Sequence, residues 1–255
     1  MTTPQIVAYG SPELLAAATA ARLVTRLVDA QAARGSASVV LTGGRTGTAV
    51  LEQLRAAPAR DAVDWSRVDI YWGDERFLPA GDPERNETQA RSALLDHVPI
   101  DPARVHAMAP SDAGLTPEAA ADAYADVLAR AARPEDHGAV PSFDVCLLGV
   151  GEEGHTASIF PGSPAVYETE RTVVAVHGCP KPPPVRVSLT LPAIRRASQV
   201  WLVTTGEGKA AAVAMALGGA GEVALPAAGA RGQRRTLWLL DKAAAAKAPG
   251  MASLP

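Results

Sequence analysis

The stretch Gly149-Val150-Gly151-Glu152-Glu153-Gly154-His155 follows directly on an apolar run, Phe143-Asp144-Val145-Cys146-Leu147-Leu148. Its glycines spell G-x-G-x-x-G behind a strand, the pattern of a loop that sets a dinucleotide pyrophosphate on a helix N-terminus. Two features oppose that reading. Glu152 and Glu153 lie inside the loop and would repel the anion that bare backbone N–H groups are meant to receive. Only Thr156 to Phe160 separates His155 from Pro161-Gly162, too short a segment for a full crossover helix. What the stretch does offer is an imidazole with carboxylates two and three residues before it, at the C-terminal end of a buried strand. That is where α/β proteins keep their chemistry. A histidine titrates near pH ~6.5, so it is mostly neutral at pH 7 and able to take a proton from water. Glu153, ahead of Glu152, would orient the ring and raise its basicity. A helix opening after Gly154 would act the other way through its positive end.

Other strand ends carry complementary groups. Thr42-Gly43-Gly44-Arg45-Thr46-Gly47 joins a strand to a helix, where small residues let backbone amides approach an anion. It lacks the Lys-Ser or Lys-Thr of a Walker loop and reads equally as a tight turn that binds nothing. Lys209, in Thr204-Thr205-Gly206-Glu207-Gly208-Lys209, occupies the same kind of turn. It suits a phosphate as a point charge or stands as a solvated first-turn residue. Asp74, Glu75 and Arg76 leave a Tyr-Trp strand end, as ordinary solvated charges or as part of an aromatic-walled pocket. Arg186 lies among strand formers, where it faces outward at an edge or needs a partner or ligand. Loops at strand C-termini converge on one crevice, so two anion-friendly turns there reinforce each other. His97, His106, His137 and His177 show no metal-ligand spacing, and no G-x-S-x-G elbow occurs. A histidine acting through water remains.

These groups need a scaffold, and the chain is built to supply one. Its 255 residues are 47% apolar and 20% charged, as in a globular protein with a substantial core. A net charge of −3 argues against nucleic acid or an anionic membrane as main partner. Cys146 and Cys179 read as reduced thiols, consistent with the cytoplasm. The start, Met-Thr-Thr-Pro-Gln, lacks the features of a signal peptide, and no run approaches the ~18 apolar residues of a membrane span. Short apolar runs at 38–41, 68–72, 143–148, 172–176, 185–189, 200–203 and 236–240 predict strands. Ser11-Pro12 and Thr116-Pro117 open helices, with further helices through Leu51 and Leu54, over 208–217 and over 241–247. Runs apolar on both faces, separated by helices, predict an α/β fold: one three-layer αβα domain over 1–255 with a mostly parallel, Rossmann-like sheet.

Taken together, these segments resemble the 6-phosphogluconolactonases, a family within the glucosamine-6-phosphate isomerase/deaminase-like superfamily. The resemblance runs from about Leu41 to about Leu240. Its most specific part is Gly149 to Gly162, similar to G-x-G-x-D-G-H-T-A-S-L-F-P, whose histidine is the catalytic base. Trp72-Gly73-Asp74-Glu75-Arg76 with Asn86 is similar to the family's W-x-D-E-R segment and its downstream asparagine. Thr42-Gly43-Gly44 corresponds to the phosphate loop, and Arg186 and Lys209 fall in basic substrate-contacting segments. The chain departs from the pattern in carrying Glu153 for aspartate, Arg45 for a small residue, and Arg85 before Asn86 in place of serine.

The resemblance implies hydrolysis of 6-phospho-D-glucono-1,5-lactone to 6-phospho-D-gluconate, with His155 and Glu153 catalytic. Gly43, Gly44, Arg45, Asp74, Arg76, Asn86, Arg186 and Lys209 would contact a small sugar-phosphate lactone. No metal or cofactor is implied, and the chain would be a monomer or weak homo-oligomer. Two rivals remain. The related deaminases place a glutamate shortly after the histidine, where Ser158-Ile159-Phe160-Pro161 offers no acid. A sugar-phosphate sensor would need an output module and no base; the chain shows no basic N-terminal helical segment to serve as one.

Overall fold

Long apolar strands with no polar face must be covered on both sides, and that requirement organises the molecule. The computed structural model describes residues 3–250; Met1 and Thr2 of the N-terminal reading lie outside it. Six strands pair in parallel: β1 (Gln5–Tyr9), β2 (Ala37–Leu41), β3 (Val68–Trp72), β5 (Val145–Leu148), β8 (Gln199–Thr204) and β9 (Arg235–Asp241), in the spatial order β1-β9-β8-β5-β2-β3. Every residue of β5 is buried, as are all but the first of β8 and β9. Because successive side chains point to opposite faces, both faces of the sheet are covered.

Helices α1 (Pro12–Arg34) and α2 (Gly44–Ala56) pack on each other and on the sheet. Ser11 caps α1, accepting from Leu14 N at 3.2 Å, and Gly35 ends it in the left-handed conformation at φ 76°. Thr116 caps α4 (Pro117–Ala131) in the same way. Helix α3 (Asn86–Ala93), the short α5 (Leu191–Ile194), α6 (Ala210–Leu217) and the short α7 (Pro226–Gly229) and α8 (Lys242–Ala245) complete the set. None of the helices is long and apolar enough to cross a membrane among the described residues.

The runs at 172–176 and 185–189 do form strands, but they leave the parallel sheet. β6 (Val173–Val176) and β7 (Arg186–Leu189) pair antiparallel, and β4 (Asp74–Arg76) adds to the other side of β7. Residues 177–185 contain no helix, so they cannot make the crossover that a parallel pairing requires. Gly73 ties the two sheets together. Its N–H donates to Leu41 O at 3.0 Å and its carbonyl accepts from Leu189 N at 2.8 Å.

The order of winding places the functional crevice. After β2 the chain adds β3 on one side, then returns to place β5, β8 and β9 successively on the other. The reversal falls between β2 and β5, and the loops leaving their C-terminal ends, Thr42–Gly44 and Gly149–His155, splay apart there.

Candidate active site

A cavity of about 240 Å³ opens over the C-terminal ends of β2, β3, β5 and β8. Gly43, Gly44 and Arg45 enter it from the start of α2, Asp74 and Arg76 from β4, and Asn86 from α3. His155, Arg186 and Lys209 complete the polar wall. Of the ten residues that the resemblance made catalytic or substrate-contacting, Glu153 alone lies outside this wall, immediately behind the histidine.

His155 is held by a closed turn. Gly151 N donates to His155 O at 2.9 Å, and Gly154 N to Gly151 O at 3.0 Å. Gly151 must be glycine for a steric reason: a Cβ there would sit 1.9 Å from His155 Nδ1 and 2.8 Å from Glu153 Oε2. Gly154 adopts φ 87°, and a Cβ on it would strike Leu225. Beyond the histidine there is no helix. Thr156 and Ile159 bridge a tight turn, with Ala157 left-handed at φ 49°. The helix dipole considered from the sequence is therefore absent, because Pro161-Gly162 follows before a helical turn can propagate. The imidazole packs on Phe160 with ring centroids 4.5 Å apart and is 17% exposed. Burial holds its pKa below the ordinary histidine value, against the opposing pull of Glu153.

Glu153 reaches the ring despite its extra methylene: Oε1 lies 2.9 Å from Nδ1. Its other oxygen accepts from Lys181 Nζ at 3.1 Å. Burial raises its pKa, but its own backbone N–H, the charge of His155 and Lys181 overcome this and bring it down to about 2. A carboxylate only accepts, so Nδ1 carries the proton and Nε2 keeps the lone pair. Glu152 has no part in this. It is 68% exposed and lies 3.9 Å from Lys209.

The opposite wall favours anions. α2 has Gly43 as its N-cap and so no side-chain cap, which leaves its first N–H groups uncommitted, and Gly44 turns the chain at φ 76°. Asn86 packs so close that a Cβ on Gly43 would fall 1.7 Å from its Oδ1. Lys209 is partly sheltered; burial first, then the charge of Lys181, lowers its pKa from the ordinary lysine value. Arg45 is exposed at the rim, and Arg76 is half-buried, donating to Glu84 O.

Several contributors were not read from the sequence. Thr46 and Thr205 share a hydrogen bond at 3.0 Å across the cavity, and Thr204 Oγ1 is buried without a partner. The Thr-Thr pair directly ahead of the Lys209 turn was the available signal. Asp74 Oδ2 accepts from Ser158 Oγ at 2.6 Å, and its backbone carbonyl accepts from Asn86 Nδ2 at 2.8 Å. Glu75 turns away from the cavity and caps α3, accepting from Asn86 N and Glu87 N at 2.7 and 2.8 Å. Arg186 occupies the central strand of the small sheet, buried, its donors directed to main-chain carbonyls of the preceding loop. No group of three or more His, Cys, Asp or Glu side chains is disposed to hold a metal ion among the described residues.

The arrangement can therefore activate a water at Nε2 while an anion rests near the α2 N-terminus and Lys209. Comparison with known proteins bears on which molecule that is. Residues 10–238 match the family model described as glucosamine-6-phosphate isomerases/6-phosphogluconolactonase. The 6-phosphogluconolactonase of Streptomyces coelicolor is 68% identical over 97% of this chain and 95% of its own length. That of Mycobacterium tuberculosis is 54% identical over 94% and 97%. Among solved structures, 6-phosphogluconolactonase from Trypanosoma cruzi superposes with a TM-score of 0.82 at 28% identity, covering 96% of this chain and 97% of that one.

Proposed function

The chain belongs to the family of glucosamine-6-phosphate isomerases and 6-phosphogluconolactonases, and from that premise we propose that it hydrolyses 6-phospho-D-glucono-1,5-lactone to 6-phospho-D-gluconate, the second step of the oxidative pentose phosphate pathway. We read 1–255 as a single catalytic domain in which His155 is the general base and no metal takes part. The observation that carries this reading is an imidazole with Nδ1 committed to Glu153 at 2.9 Å and its other face on the cavity.

A δ-lactone is an activated ester, so the water that attacks it needs deprotonation and alignment more than it needs a covalent nucleophile. Nε2 of His155 takes a proton from water as the water oxygen bonds to the lactone carbonyl carbon. Loop N–H groups or an arginine hold the resulting oxyanion. As the bond from that carbon to the ring oxygen breaks, the imidazolium returns the proton to the departing oxygen. The free acid then ionises. Gly43, Gly44 and Lys209 hold the 6-phosphate, with Arg45 at the rim, while Asp74, Arg76 and Asn86 contact phosphate or sugar oxygens from the neighbouring wall. The phosphate acts as a remote handle whose binding energy aligns carbonyl and base.

The test is a coupled assay on freshly generated lactone, with spontaneous hydrolysis subtracted. Absence of enzymatic turnover overturns the reading. Lys209→Ala should raise KM for the phosphorylated lactone about tenfold or more, the scale of a lost charge-assisted hydrogen bond, with kcat much less affected. Unchanged kinetics would move the phosphate site elsewhere.

A further inference from the structure

Lys181 is outside the cavity wall and 45% exposed, on the loop between β6 and β7. Its ammonium nonetheless sits 3.1 Å from Glu153 Oε2, while Oε1 of the same carboxylate is 2.9 Å from His155 Nδ1. Glu153 is itself 32% exposed and so has room to turn away from the ring. An exposed lysine fixes little by itself, because its side chain is long and freely hydrated. Here its backbone is fixed by an unusual anchor. Arg186, buried in β7, donates Nη2 to Lys181 O at 3.0 Å and Pro182 O at 3.2 Å, and Nε to Pro183 O at 3.2 Å. Its Nη1 faces Asp74 Oδ2 at 3.8 Å. Most of its planar fork is committed to the loop before any ligand arrives.

We propose that Lys181 is a positioning residue that holds Glu153 against His155, and that Arg186 serves the reaction by fixing the loop that presents Lys181 rather than by binding the substrate's phosphate. This rests on the reading of His155 as the base.

The charges around the ring give the proposal a sign. Glu153 faces His155 from its own loop, Lys181 from the β6–β7 loop and Asp74 from β4. Arg186 on β7, Arg76 on β4, Arg45 on α2 and Lys209 ahead of α6 share the cavity. The two carboxylates favour imidazolium and Lys181 opposes it. Removing the ammonium leaves Glu153 free to turn away, and because Glu153 pulls the ring toward imidazolium more strongly than Lys181 opposes it, the ring becomes less basic and less well held.

Lys181→Met removes the charge and leaves the carbonyl that Arg186 grips. The expected result is a downward shift of the His155 midpoint in a histidine NMR titration, its signal assigned by its loss in His155→Ala. The acid limb of kcat/KM should follow, with a severalfold lower kcat on the plateau and KM within about twofold of wild type. Lys181→Arg should restore both. Arg186→Lys should reproduce the pattern, and the double variant should be no worse than the worse single one, as for residues acting in one chain. If Arg186→Lys fails to fold, the two Lys181 variants decide alone. A raised KM with an unmoved midpoint, in either single variant, overturns the proposal in favour of direct substrate contact. Failure of the functional reading is distinguishable, because a wild type without lactonase activity still yields the titration.

Discussion

Replacing His155 with alanine lowers kcat for lactone hydrolysis by about a hundredfold or more while the protein stays folded, with a melting temperature within a few degrees of wild type. The size follows from losing the group that takes the proton from water; the oxyanion donors and the phosphate handle remain and sustain a residual rate. The side chain touches Phe160 and Glu153 at the edge of a cavity, so its removal empties little core. Wild type carries a companion signature. Burial outweighs Glu153 and lowers the His155 pKa. The neutral base therefore persists below the ordinary histidine midpoint as pH falls, and the acid limb of kcat/KM should lie below about pH 6.5. Turnover close to wild type in His155→Ala, measured above the spontaneous background, would place the base elsewhere. An acid limb above that midpoint would mean that the carboxylates outweigh burial.

Gly151→Ala, a single methyl group away from the reacting atoms, should be nearly as damaging. The new Cβ would lie 1.9 Å from Nδ1 and 2.3 Å from Cε1 of His155, so the ring has to move. It cannot move without breaking the 2.9 Å bond to Glu153, whose Oε2 is also within 2.8 Å of the new atom. A displacement of about 1 Å at a catalytic group costs on the order of a hundredfold, and that is the loss in kcat expected here, with KM little changed. Gly151 has no left-handed backbone, so alanine brings no conformational strain and the fold should survive. A variant that retains full activity would show that the loop relaxes around the methyl group and that the orientation of His155 is not critical. A variant that merely unfolds would be exposed by thermal denaturation.

The two glycines of the anion-facing turn divide differently. Gly44 needs its positive φ, a property any tight turn could demand, whereas Gly43 is demanded by Asn86. In the sequence both look alike. Only the packing of α3 against the β2–α2 turn separates them, and α3 itself starts where Glu75 accepts its first N–H groups. That capping residue precedes the helix by a whole loop, so no local pattern announces it. For the same reason β4 was invisible as a strand: three charged residues become one only by pairing with β7.

What the sequence determined by itself is the α/β class with its mostly parallel sheet and the position of the reactive loop. Strands apolar on both faces can be satisfied only between two layers, and a loop that leaves such a strand must open at the sheet's C-terminal edge. The candidate side chains could be named because each stands next to a strand end. What only the tertiary structure decided is how those side chains are employed. It gave the histidine Glu153 and not Glu152, and set the net direction of its pKa by burial. It turned the donors of Arg186 onto a neighbouring loop and brought in Lys181 from a strand connection in the other sheet. Periodicity records whether a residue is inside or outside. Partners, desolvation and the sum of opposing charges depend on distances between segments far apart in the chain, and those exist only once it has folded.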